Sequence, residues 1–257
     1  MLIEALAILC STCYFAGEAE RGAPLGQEAV DRARPLGDDV LLTEALSGYV
    51  LCIDLVDPVR AGKLFEEAIA CTERTGDQLF ASILHNNAGV HALRVGDIPA
   101  ARAHLEVAAQ ASLANGENSD AVAVNLGWVR RQDGDYDGAR SSFEDALRIS
   151  RRTGQRFDIA YAVLGLACVA ADAGEWSRAC VLHGIAQAIL DRAGEPWQSP
   201  EVRYRRESLG QVRAHLGAEQ SERDYARGMA LSSDEIGPIA YGHDIDREDR
   251  GVPRRTA

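Results

Sequence analysis

Glycine followed by an acidic or polar residue recurs along this chain with a regularity that leaves little choice of fold. The pairs are Gly17-Glu18, Gly37-Asp38, Gly76-Asp77, Gly96-Asp97, Gly116-Glu117, Gly134-Asp135, Gly154-Gln155, Gly174-Glu175 and Gly194-Glu195, and most intervals are 20 residues. Glycine can take the left-handed conformation that ends a helix, and an acid just after it suits the positive start of the next. Val56-Asp57-Pro58 fills the one missing place, with proline as the first-turn signal. The segments between marks, about 16 to 18 residues, are each long enough for a helix of roughly 25 Å. Helix therefore follows helix, with no room for strands.

Alternate segments differ, so the repeating unit is a helical hairpin of 38 to 40 residues. Ala61, Ala101, Ala139 and Ala179 open its second helix in register. Four residues on stand Phe65, Leu105, Phe143 and His183, and three beyond them Ala68, Ala108, Ala146 and Ala186. This small, large, small series puts one packing stripe on a single helix face. In the first helices Gly89 and Gly127 share a column, with Cys10 and Ala167 filling it in the outer units. A hairpin of this length cannot bury its apolar face alone, so the units must stack.

Charge and cysteine usage narrow the functional classes. With 27 basic and 39 acidic side chains the net charge is −12, which argues against direct nucleic-acid binding. The apolar opening Leu2–Leu9 lacks a basic start and contains Glu4, so a cytoplasmic protein without a membrane span is expected. Cys10, Cys13, Cys52, Cys71, Cys168 and Cys180 form no paired CxxC clusters, and Cys10-Ser11-Thr12-Cys13 falls on packing positions, so buried structural thiols are expected and no metal site. His85 and His91, six apart, do not share a helix face. Asp133, Asp135 and Asp137 coincide with a repeat turn and read as helix caps. There is no phosphate-cradling GxxxxGK[ST] sequence and no GxSxG elbow, so the expectation is a non-enzyme with no cofactor and no catalytic residues.

Asn125-Leu126-Gly127 through Gly134-Asp135-Tyr136, Ala139, Phe143 and Ala146-Leu147 resembles a tetratricopeptide repeat almost column for column, and about three quarters of the chain follows more loosely. The resemblance implies an all-α, tetratricopeptide-like right-handed superhelix of about five hairpins, near 1–36, 40–75, 78–115, 118–153 and 156–193 within residues 1–195. A C-terminal helical cap over 196–241 and a disordered tail over 242–257 complete the expected organisation. A narrower resemblance rests on Trp176-Ser177-Arg178-Ala179, Leu182-His183-Gly184-Ile185-Ala186, Gly194-Glu195-Pro196, Ala214-His215-Leu216-Gly217 and Tyr225–Ser232 with Glu235. This order is similar to the C-terminal end of large actinobacterial regulators that join a signal-transduction ATPase to tetratricopeptide repeats, often with a LuxR-type DNA-binding domain or a cyclase domain. The ATPase and the DNA reader are missing from this sequence, so it resembles the arm alone.

In the cap, Val202, Leu209, Val212 and Leu216 form an apolar stripe expected to face inward, with Arg203, Arg205, Arg206 and Arg213 largely off it. Ser232-Ser233-Asp234-Glu235 reads as a capping box. Projecting the repeat puts Tyr14, Asn86, Asn87, Arg94, Asn125, Trp128, Arg131 and Tyr161 on or near the concave groove lined by first helices. Asparagines there bond a peptide backbone in some family members, or else bond neighbouring helices. Trp128 is either an aromatic anchor or core. Arg94 and Arg131 would suit an acidic segment. The expected function is a protein or peptide interaction module, the regulatory arm of a truncated or split LuxR-type ATPase transcriptional regulator, with an ATPase or regulator domain as a candidate partner. Self-association through the repeats is a further option, and a small-molecule effector sensor using the groove is the alternative.

Overall fold

The computed structural model describes residues 1–114, 119–198, 200–231 and 235–241. Gly116-Glu117, most of the expected capping box and the expected tail lie outside these. Among the described residues every regular element is helical. The chain divides into two compact units, Met1–Asn125 and Leu126–Ala257.

The first unit contains α1 (Leu2–Phe15), α2 (Ala19–Ala33), a 3-10 turn (Arg34–Leu36), α3 (Asp39–Val56), α4 (Pro58–Thr75), α5 (Gln78–Val95) and α6 (Ile98–Ala114), and the division falls inside α7 (Asp120–Gln132). The second continues with α8 (Tyr136–Thr153), α9 (Arg156–Asp172), α10 (Trp176–Ala193), α11 (Glu201–Leu216), α12 (Ala218–Ala230) and the short α13 (Ile236–Tyr241).

The glycine punctuation is visible in the backbone. Gly17, Gly37, Gly76, Gly96, Gly134, Gly154, Gly174 and Gly194 all have positive φ, between 66° and 86°, where a side chain would be strained. The acid that follows caps the next helix at several of these turns. Asp38 accepts from the backbone N–H of Val40 and Leu41, Asp77 from Phe80, Asp97 from Ala100 and Asp135 from Gly138. At the glycine-free turn Asp57 accepts from the Arg60 N–H, with Pro58 in the first helical turn.

The packing columns run through the middle of each hairpin. All twelve side chains of the small, large, small series are buried, His183 included. Close approach explains the facing column. A Cβ at Gly89 would come within 2.6 Å of Leu105, and one at Gly127 within 2.6 Å of Phe143. In α9 the glycine pressed on Phe143 is Gly165, two positions before the column's expected Ala167. Cys10, Cys13 and Cys52 are buried free thiols packed around Gly22 and Gly26 of α2, the Cys10 thiol donating to the Gly48 carbonyl and the Cys52 thiol to that of Cys10.

Candidate functional site

In the first unit the expected groove residues form two linked polar groups. The Asn125 amide donates to Oδ1 of Asn86 at 2.9 Å, and Asn86 leans on Asn87 at 3.4 Å. Asn125 is buried, whereas Asn86 and Asn87 are half-exposed. One to two turns further along α5, His91 and Arg94 both engage Asp54 of α3. Phe65 of α4 packs near the His91 ring, with centroids 5.6 Å apart. Tyr14, on α1, stands edge-on to Phe15. His85 pairs through Nδ1 with Nδ1 of His104 at 3.0 Å, and burial lowers the pKa of both rings.

In the second unit the expected groove residues are covered by the chain itself. Trp128 is completely buried, its ring 4.9 Å from Phe143 and 4.4 Å from Tyr204 of α11. Of the two readings open for Trp128, core is the one realised. Tyr161 is buried against Phe157 and Trp197, and its hydroxyl accepts from the Gln198 N–H at 2.9 Å. Arg131 forms a two-pronged pair with Asp172 of α9, Nε to Oδ2 at 2.6 Å and Nη2 to Oδ1 at 2.9 Å. Neither Arg131 nor Arg94 is thus left as a free cation for an acidic partner. Asp54 and Asp172 stand 40 and 41 residues from their arginines, so opposite charges one repeat apart on first helices were the legible signal.

The orientation of α11 is the larger departure. Its buried face carries Glu201, Tyr204, Ser208, Leu209 and Val212, while Val202 is about half exposed and Leu216 only partly covered. The inward stripe is rotated toward polar side chains because the helix lies against Trp128 and His183, not over a purely apolar end. His183 shares a hydrogen bond with Ser208 at 2.9 Å. Burial, with Arg205 and Arg131 adding to it, drives the imidazole down to about 3, so it is neutral. Burial likewise pushes the Glu201 carboxyl up to about 8; a backbone N–H and the Trp128 indole offset this only in part. Among the described residues Nε of Arg205 and Nδ1 of His183 lack hydrogen-bond partners. Sequence periodicity gave no sign of this polar interior. α11 covers it, and the Ser208–His183 pair within it is buried.

The motifs behind the narrower resemblance meet in space. Gly184 of α10 faces Gly228 of α12, and a Cβ on either would run into the backbone of the other helix.

The fold has a solved counterpart. The chain is similar to BtubC (BKLC) from P. vanneervenii. The two share 20% identity with a TM-score of 0.60, over 93% of this chain and 96% of that one, a likeness that bears on the fold alone. No family model and no curated protein matches the sequence. Among the described residues no helix is long and apolar enough to cross a membrane, and no three His, Cys, Asp or Glu side chains converge to hold a metal ion.

Proposed function

We propose that this chain is a non-enzymatic protein-interaction module of the tetratricopeptide type, the regulatory arm of a LuxR-type ATPase transcriptional regulator, and that a partner peptide is taken on the first-helix face of Met1–Asn125. The observation that carries this reading is the half-exposed amide pair Asn86 and Asn87 on α5. An amide both donates and accepts, which suits an extended peptide backbone. The glycine crossing of α10 and α12, built from the residues that resemble the regulator family's end, supports the regulator assignment. With Arg94 held by Asp54, the recognition rests on backbone hydrogen bonding and not on attraction of an acidic segment. The groove-sensor alternative loses support, since Trp128, Arg131 and Tyr161 are all committed internally.

The test is peptide selection from a random library on the wild type, followed by titration against Asn86→Ala/Asn87→Ala. Loss of about 1 to 2 kcal/mol, roughly ten-fold in Kd, is expected with helicity unchanged. Selected peptides that bind the double variant as tightly as the wild type would move the site off this face.

A further inference from the structure

Where α8 ends and α9 begins, Arg151, Arg156 and Arg192 stand around a cavity of about 230 Å³ floored by Ile159, Ile189 and Ile236. Each arginine comes from a different helix, and all belong to Leu126–Ala257. Two have an ordinary explanation: Arg151 and Arg192 sit in the last turns of α8 and α10, where positive charge complements the helix dipole. Arg156 does not. It opens α9, where the dipole disfavours a cation, and the N-cap residue Gln155 makes no side-chain bond to the first-turn N–H groups.

Two of the three arginines are held by the surrounding structure. Arg192 Nη2 donates to the carbonyls of Met229 and Leu231, each at 3.3 Å. Arg151 reaches α13 at Gly237, where a Cβ would come within 3.1 Å of its Nη1. Asp191, next to Arg192, accepts from Gln187 Nε2 at 2.7 Å, and Asp158 and Glu235 have partners of their own. The residues that line the mouth are three arginines and three isoleucines, with no carboxylate among them, on a protein whose net charge is −12. Behind the charges, Ile189 and Ile236 are buried. A larger cavity of about 410 Å³ between α10, α11 and α12 has no such bias, since Arg213 is matched there by Glu222.

Positive rim and apolar floor together select an amphipathic anion. A carboxylate suits the fork geometry of arginine and the positive end of a helix dipole. The volume lies under the ~300 Å³ at which sites for drug-sized ligands begin, which limits the body to a short chain or one ring. We propose that this cavity binds a small apolar carboxylate, its charge among Arg151, Arg156 and Arg192 and its body on the three isoleucines. This site is independent of the peptide face proposed above, and either can fail without the other.

The full chain is titrated calorimetrically with octanoate, octan-1-ol and inorganic phosphate, each against the wild type and Arg156→Gln. Arg156 is exposed and at a helix start, so Arg156→Gln should keep the fold, with helicity as the check; Arg151→Gln serves as a second variant. The expected result is one saturable octanoate site, weakened about five-fold or more by Arg156→Gln, with octanol and phosphate each at least about ten-fold weaker. Phosphate binding as tightly as octanoate would reduce the site to a bare anion cluster and overturn the proposal. So would octanol binding equally well, octanoate indifferent to both arginine variants, or no saturation up to about 10 mM.

Discussion

Glu201→Gln should reveal how α11 is held. In the folded chain the Glu201 carboxyl has 4% exposure and a pKa pushed up to about 8 from 4.5, chiefly by burial. Below pH 4.5 it is protonated both folded and unfolded and contributes nothing to pH dependence. Between 4.5 and 8 the unfolded chain releases the proton while the folded chain keeps it, so stability falls as pH rises, by about 1.4 kcal/mol per unit. By pH 7 the accumulated cost is on the order of 3 kcal/mol, and it levels off near 5 kcal/mol above pH 8. Glutamine keeps the shape without the ionisation. The difference in unfolding free energy between Glu201→Gln and wild type, from urea denaturation followed by circular dichroism, should therefore be flat below pH 4.5 and climb in favour of the variant up to pH 8. Taking the difference removes other groups, including His183, whose depressed pKa of about 3 makes stability rise with pH between 3 and 6.5. A difference curve that stays level from pH 4.5 to 8 would mean that Glu201 is ionised in the folded chain and that α11 does not seal it from water.

Two further substitutions probe the packing. Ala139→Asp places an unpaired charge at a fully buried position of the repeat column and should cost several kcal/mol, roughly 3 or more, read as a lowered denaturation midpoint; an unchanged midpoint would place the column elsewhere. Gly228→Ala sets a Cβ against the Val181 carbonyl, whose carbon would be only 2.9 Å away, and should destabilise by about 1 to 3 kcal/mol as α10 and α12 are forced apart. Gly210→Ala, with nothing within 4 Å of the added carbon, is the matched control and should stabilise α11 by about 0.5 to 1 kcal/mol; equal effects at the two sites would contradict the crossing.

Periodicity made the hairpins readable, because each turn glycine and each column residue answers to a local rule repeated along the chain. Gly76-Asp77 predicts its own helix end and cap without knowledge of any distant residue. The groove was less legible because its fate depends on chain that breaks the repeat. Trp128 and Tyr161 carry the right spacing for a binding face, yet Tyr204 and Trp197 lie on them. An amphipathic pattern marked α11 as a packing helix but could not give its rotation: Val202 and Glu201 are neighbours, and the polar one points inward because Trp128 and His183 offer an interior that is not purely apolar. Arg94 and Arg131 read as available cations until their acids, one repeat away, are brought beside them.

The meeting of Gly184 with Gly228 has a consequence for what else can occupy the place of α12. Backbone lies on backbone there, so the seam has no side chain by which an intruder could be recognised or persuaded. It acts as a size filter: a competing helix with any side chain at the crossing is held off by the Val181 carbonyl before its other contacts form. A helix of identical sequence passes that filter, so exchange of tails between two molecules of this chain is sterically open where substitution by a foreign helix is not.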